Sequence, residues 1–556
     1  MFIVLSGSPR GAVTLTDVDE NGIRSSPVVV EPADVPAMIA RREADRPRWV
    51  WSDTTLWYPM LLEAGVVVER SHDLRLCHRI LRLSQATQTS AIAAAPESAW
   101  DQPPVPASQR ENTLFDDDAS PDEAADPLDE FVVQRQVIDD LALRAPEAAS
   151  RLRLLLAAES CGALIAEEMR FSGMPWSADA HGATLTEVLG PRPQFGGRPA
   201  KLEALADEIR TALQAPALNP DSQPDLLRAL RKAGLNVTGT SKWELRELRH
   251  PAITPLLEYK KGARLLSANG WAWMDAWIHD GRFRPEYVVG GVVTGRWATR
   301  GGGALQLPAQ VRGAVRADDG WTLVVADASQ LEPRIIAAMA RDEAMAKAGR
   351  GRDLYQGLVD AGVVDTRAHA KVAMLGALYG ATSGESAQLM PRLTRAYPRA
   401  IGLVEAAARA GERGEQVSTW LGRSSPFPSE AWREVQHAGT SPDATPADER
   451  RARQAGRDWG RFTRNFVAQG TAAEWAMCWM AGLRQRLRVL GDDTARPHLV
   501  LFLHDEVMVH SPAHLADEVG EAITDAAADA GRLLFGAFPV DFALTVAAVS
   551  SYDQAK

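Results

Sequence analysis

A chain of 556 residues is too long for one hydrophobic core, so two or more folding units are expected. An apolar fraction of 46% against 24% charged residues suits a chain that buries its core without disulfides, and no apolar run is long enough to cross a bilayer. Cys77, Cys161 and Cys478 lie far apart with no C-x-x-C pair, which sets aside a disulfide scaffold, a redox motif and a structural zinc site. The net charge of -11 argues against a nucleic-acid partner only until the charge is located.

The first segment, MFIVLSGSPRG, has neither a basic n-region nor an adequate apolar h-region, so no signal peptide is expected and the chain reads as cytoplasmic. Residues 1–84 read as a small α/β unit, with the apolar runs at 28–30 and 64–68 predicted as strands. Residues 85–135 shift to Ala, Pro and acids and read as a flexible linker. Residues 101–130 hold ten acids and one base, a local -9, with Leu114 and Phe115 as two large apolar residues inside it. Residues 136–290 read as mostly helical. In residues 226–265 nine cations face three acids, a net +6 suited to phosphates, although a solvated helical face accounts for the charge equally well. Residues 291–340 bring Gly-rich turns and a strand, residues 341–485 are helical again, and residues 498–548 return to strands around one helix. No repeat of 20–50 residues is visible.

Three segments carry candidate chemistry. In WTLVVADASQLEPRIIAAMARD, residues 321–342, an apolar strand ends at Asp327 and the chain turns helical. A carboxylate there is a helix cap or a metal ligand, and this segment alone favours the cap. In HLVLFLHDEVMVHSP, residues 498–512, two strands flank His504, Asp505 and Glu506. Adjacent acids at the tip of an apolar hairpin repel and are costly to desolvate, a cost that a divalent cation resolves; a solvated turn is the alternative. Together the two carboxylate positions could hold two Mg²⁺ ions for an in-line phosphoryl displacement. In TRAHAKVAMLGALYGAT, residues 366–382, Arg367, Lys371, Leu375 and Tyr379 recur every four residues. On a helix they form one stripe roughly 18 Å long, cationic at one end for a triphosphate and apolar to aromatic at the other for a sugar and base. A surface helix with a packed Tyr is the alternative.

Taken together, Asp327-x-Ser329-Gln330-x-Glu332-x-Arg334, Arg367-x3-Lys371-x7-Tyr379-Gly380 and His504-Asp505-Glu506 resemble motifs A, B and C of family A, polymerase I-like DNA polymerases, in the right order. Flanking matches are Thr294-Gly295-Arg296, Leu305-Gln306 with Pro308, and Arg461-x3-Asn465-x3-Gln469-Gly470-Thr471. The resemblance covers roughly residues 145–556. It implies an α/β multidomain chain with a right-hand polymerase fold: thumb at 136–290, palm at 291–340 and 461–556, fingers at 341–460. It also implies addition of deoxynucleotides to a primer 3′-hydroxyl on a DNA template, by a monomer using Mg²⁺, with Mn²⁺ as a substitute.

By the same resemblance, Asp327 and Asp505 are the metal ligands and Glu506 is an auxiliary carboxylate. Arg367 and Lys371 bind the incoming phosphates, with Gln330, Leu375 and Tyr379 also at the nucleotide. Glu332 excludes a 2′-hydroxyl, and Tyr379 stacks at the template position. Arg296, Gln306, Arg461, Asn465, Gln469 and His504 lie near the primer–template. Four positions depart from the pattern: Ala328 where Tyr is usual, Pro333 for an apolar residue, Leu375 for Phe or Tyr, and Tyr355 for a phosphate-contacting His. They put efficiency and fidelity in question, not the reaction.

Residues 1–84 stand where the family carries a 3′–5′ exonuclease, but no D-x-E occurs in residues 1–100 and Trp49 stands where an Asn would precede Asp53. An inactive remnant is expected. Glu111-Asn112-Thr113-Leu114-Phe115 resembles the short peptide by which bacterial polymerases dock on the sliding clamp, with Glu for the usual Gln; a chance Leu-Phe pair is the favoured reading. Two other functions compete. A single-subunit RNA polymerase shares the palm carboxylates, but Glu332 argues against it. A catalytically silent DNA-binding or clamp-associated protein would have lost a metal carboxylate, and all three are present.

Overall fold

The computed structural model describes residues 1–9, 11–102, 126–380, 384–492 and 495–555. The chain divides into two units. The first comprises Met1–Ser172, Glu286–Arg300 and Val324–Ala547, and the second comprises Gly173–Pro285, Gly301–Leu323 and Ala548–Lys556. Among the described residues no helix is long and apolar enough to cross a membrane.

The first unit opens with a five-stranded sheet. Strands β1 (Phe2–Gly7), β2 (Val13–Val18), β3 (Val28–Val30), β4 (Arg48–Trp51) and β5 (Arg70–Asp73) lie in the order β3-β2-β1-β4-β5. β1 runs antiparallel to β2 and parallel to β4, and β4 runs parallel to β5. Trp49, Trp51, Trp57 and Tyr58 are fully buried in its core. The apolar run at 64–68 is not a strand. Helix Thr54–Glu63 ends there in a turn through Gly65 at φ +72°, where Val66 N–H bonds the Leu61 carbonyl at 2.7 Å. Register decides this: β4 begins at Arg48, which pairs with Arg70, so the run precedes the ladder and Val68 is buried as loop core instead.

Two buried acids organise this unit. Asp53 caps helix Thr54–Glu63, accepting from Thr55 N–H at 2.8 Å. Asp73 accepts from Thr54 N–H at 2.7 Å and Leu76 N–H at 3.0 Å. Burial, and then the Asp53 carboxylate, push the Asp73 carboxyl up to about 7. The fold therefore holds a proton that the unfolded chain releases near pH 4, and stability contributed at Asp73 falls as pH rises from about 4 to about 7. Thermal melts across pH 4–8 should show a shallower decline in Asp73→Asn than in the wild type; identical slopes would rule Asp73 out as the source.

In the stretch read as linker, residues 85–135, the structure has helical segments at Gln85–Thr87, Ala91–Ala94 and Ala99–Asp101, with Ile92 and Trp100 buried. Helix Pro127–Arg144 begins inside it, capped by Asp126. Leu114 and Phe115 lie outside the described residues.

The second sheet of this unit is four-stranded. With β6 (Glu286–Val288) and β7 (Ala298–Arg300) forming a separate hairpin, the sheet comprises β8 (Trp321–Ala328), β9 (His498–Leu503), β10 (Glu506–Pro512) and β11 (Leu544–Val549), in the order β9-β10-β8-β11. Helix Pro446–Leu487 packs against Pro146–Ser172, Pro398–Glu412, Glu430–Thr440 and Ala516–Phe535. Its start is written locally: a Thr445–Asp448 capping box with Pro446 in the first turn.

In the second unit, helices Ala178–Leu189, Ala200–Ala212, Gln223–Lys232 and Ile253–Asn269 surround Leu185, Leu202, Ile209, Leu230 and Leu256, with an aromatic cluster of Trp176, Trp273 and Phe283. The residues expected as one helical region, 136–290, are thus shared between the units: the segment up to Ser172 folds with the first and Gly173–Pro285 with the second.

Candidate active site

Hydrophobic strands deliver the acids. Leu323, Val324, Val325 and Ala326 are buried in β8, and Asp327 follows them at the strand's end, half-buried. β9 and β10 pair from His498↔His510 to Leu503↔Glu506, leaving His504 and Asp505 as the hairpin tip. His504 takes φ +60°, a left-handed conformation that a non-glycine residue adopts at a cost and that the tight turn imposes. Ala328 N–H donates to the Asp505 carbonyl at 2.8 Å, joining the strand end to the tip. Glu506, first in β10, is buried.

Burial, and then the Asp327 carboxylate, push the Asp505 carboxyl up to about 6, with Arg296 opposing. Two half-buried carboxylates close enough to repel are a donor set for a hard divalent cation. Among the described residues no three His, Cys, Asp or Glu side chains converge as a preformed metal cage. A pair of carboxylates suits a cation that takes its other ligands from substrate phosphates and water.

After Asp327 the chain turns sharply. Gln330 sits at φ +51°, and its side chain donates to Asp353 Oδ2 at 3.2 Å and accepts from Leu354 N–H at 3.2 Å. Glu332, in the first turn of helix Leu331–Met339, accepts from Arg296 at 2.5 Å and from the Tyr379 hydroxyl at 3.2 Å. Arg296 comes from the loop between β6 and β7, so three distant segments meet at one carboxylate.

Helix Arg367–Tyr379 starts on a Thr366 cap and stops at Gly380, φ +70°. Ala370, Ala373, Met374, Ala377 and Leu378 face the core, while Arg367, Lys371, Leu375 and Tyr379 are exposed. The four-residue repeat is thus an outward stripe, with Tyr379 turned to Glu332. Arg367 donates to Asp353 Oδ2 at 2.8 Å and lies over the Tyr355 ring, 5.6 Å from its centroid. On helix Pro446–Leu487, Arg461 pairs with Asp458, and Gln469 accepts from the Thr294 hydroxyl at 2.9 Å. Asn465 Oδ1 and His504 Nδ1 are buried without a hydrogen-bond partner among the described residues. Gln306 belongs to the second unit, exposed at the end of the short helical segment Ala304–Gln306.

Sequence reasoning missed Asp353, whose only local signal is a helix cap on Gln356 N–H at 2.8 Å. It also left Arg334 without a task. That side chain is 1% exposed and donates to the carbonyls of Ser329, Gly349, Arg352 and Asp541 and to the Asp541 carboxylate.

The site thus combines two acids at one end of a sheet with a helix whose outward stripe carries Arg367 and Lys371. The family model for DNA polymerase family A matches residues 198–549. The chain belongs to DNA polymerase family A. A thermostable DNA polymerase I of Thermus filiformis is 26% identical over 346 residues, which is 57% of this chain and 38% of that protein. DNA polymerase I of Chloroflexus aurantiacus is 25% identical over 340 residues, 55% of this chain and 33% of that one. The chain thus spans less than two fifths of these relatives' length. The polymerase domain of Pol1 from M. smegmatis, solved with DNA primer-template and dNTP, is similar in fold at TM-score 0.66 and 19% identity, over 100% of this chain and 95% of that one. The mixed α/β architecture is that of a right-hand polymerase, as the motifs led one to expect.

Proposed function

We propose that the chain is a template-directed DNA polymerase that adds deoxynucleotides to a primer 3′-hydroxyl by two-metal phosphoryl transfer. The observation that carries this reading is the pairing of Asp327 with Asp505, joined through the Ala328–Asp505 backbone bond and close enough for the two carboxylates to repel. Asp327 and Asp505 would hold Mg²⁺, two ions in all, with Mn²⁺ as a substitute. Bound there, the metal supplies a lowered pKa for the 3′-hydroxyl and a counter-charge for the leaving pyrophosphate. Arg367 and Lys371 receive the triphosphate, Glu332 blocks a 2′-hydroxyl, and Glu506 adds negative charge beside Asp505. By the family resemblance, Arg461, Asn465, Gln469 and His504 face the primer–template.

The test is extension of a labelled primer with dNTPs, with rNTPs and with no nucleotide, the Asp505→Ala protein beside the wild type. Metal-dependent extension with dNTPs that disappears in the variant supports the reading. No extension under Mg²⁺ or Mn²⁺ would replace it with the silent DNA-binding alternative.

Two residues tune this activity. Asp353 holds Arg367 in a half-exposed ion pair that a triphosphate must break, at a cost of up to about 1 kcal/mol. Asp353→Asn keeps a helix cap and should lower KM for dNTP by up to about fivefold with kcat unchanged; a raised KM in steady-state assays would count against this. Leu375 is exposed on the stripe where a ring would pack on the sugar. Leu375→Phe should change the ratio of dideoxynucleotide to deoxynucleotide incorporation, and equal ratios would dismiss the idea.

The N-terminal sheet is read as an inactive exonuclease remnant: Asp53 and Asp73 serve as helix caps, with Arg75 3.6 Å from Asp53. An intact primer in the arm without nucleotide is the expected result. Gap filling or repair in the cytoplasm and action as a monomer complete the proposal as family analogies; clamp docking through Leu114 and Phe115 stays the less favoured reading beside a chance Leu-Phe pair.

A further inference from the structure

Helix Pro446–Leu487 carries more positive charge than the proposed active site uses. Between Arg450 and Arg464 it holds six arginines against one acid, Asp458. Arg450, Arg453, Arg457 and Arg461 succeed one another at three and four residues, so they share one face with Asn465, in axial steps of about 4.5, 6 and 6 Å. Arg450, Arg453 and Arg457 are exposed. Arg450 has no ion pair with any described residue, and Arg457 bonds the neutral Gln454 side chain at 2.8 Å. Arg453 shares Glu449 at 3.1 Å in a pair open to solvent, which a phosphate can displace.

Two hollows beside these arginines share Arg457. A groove of about 500 Å³ is lined by Arg450, Arg451, Arg453, Gln454 and Arg457. A second groove, of about 720 Å³, shares Arg457 and is lined by Arg395, Arg461 and Arg464, by Glu405 and Glu412, and at its far end by Gly380, the residue after Tyr379; Glu405 is taken up by Arg464. From Arg461 to Arg450 the helix covers about 16 Å, the length of about five nucleotides at the 3.4 Å rise of a stacked strand. Guanidinium groups spaced along a line suit a chain of phosphates, and their planes stack on unpaired bases.

We propose that Arg450, Arg453 and Arg457 hold the single-stranded template ahead of the active site, by its sugar–phosphate backbone. The inference rests on the polymerase reading above, because that reading puts the template at Tyr379, next to Gly380 at the far end of the second groove.

The test measures binding of the full chain to labelled primer–templates with template overhangs of one, three, six and ten nucleotides, over a range of salt. The wild type should bind more tightly as the overhang lengthens to about six and then level off. The triple variant Arg450→Ala, Arg453→Ala, Arg457→Ala should lose this gain, at least tenfold at six nucleotides, yet bind the one-nucleotide overhang within about twofold. Its salt slope on the long overhang should fall by about 2, three single-strand phosphates at roughly 0.7 each. The triple Arg→Lys variant should keep most of the gain, and circular dichroism should show all three proteins folded. The same overhang dependence in wild type and Ala variant overturns the proposal alone and leaves an acidic protein segment as the partner for the stripe. Equal loss at every overhang overturns it in favour of duplex contact. A wild type that binds no primer–template overturns the polymerase reading, and this proposal with it.

Discussion

Asp327→Asn and Asp505→Asn should each slow primer extension by about three orders of magnitude, while DNA affinity stays within a few fold and the fold is kept. A ligand to a catalytic cation stabilises charge that develops only in the transition state; about 4 kcal/mol of lost stabilisation corresponds to that thousandfold fall at 1.36 kcal/mol per decade. Misfolding is a poor alternative explanation here. Burial and the Asp327 charge already hold the Asp505 carboxyl up at about 6, so an uncharged amide relieves repulsion and the melting temperature should hold or rise. Single-turnover extension with saturating dNTP, beside thermal melts, separates the two effects. Activity within tenfold of wild type in either variant would mean that the pair does not hold the metal.

Arg334→Met should have the largest effect on stability, about 3–5 kcal/mol by denaturant unfolding. Its guanidinium, 1% exposed, reaches four backbone carbonyls and the Asp541 carboxylate, and a thioether leaves those acceptors without their donor. Arg334→Lys should rescue little, because a point charge on a flexible stem cannot serve a planar fan of acceptors. Activity should fall as well: Arg334 ties Ser329, two residues after Asp327, to the segment around Asp541, and Ser329 N–H bonds the neighbouring Ala543 carbonyl at 3.0 Å. A loss below 1 kcal/mol would show that water or neighbouring groups replace the guanidinium.

What the sequence determined by itself was what is periodic or local. The Leu323–Ala326 run made a strand, a four-residue repeat made the outward stripe of Arg367, Lys371, Leu375 and Tyr379, and Thr445-Pro446 with Asp448 began a helix. The ordered motifs carried the family, and with it the right-hand fold, because each motif has one chain-local geometry that composition can express. The valines at 64–68 show the limit: apolar and β-branched, they still form no strand, since a ladder needs a partner and β4 begins too late to supply one. In the same way, Asp353 reads locally as a helix cap and Arg334 as one more charge in a helix. Only the tertiary structure brings Arg367 and Gln330 onto the first and buries the second among five acceptors. It alone joins Asp327 to Asp505 across 178 positions of chain through one backbone hydrogen bond, because closeness between strands is set by sheet order and register, which no single segment encodes.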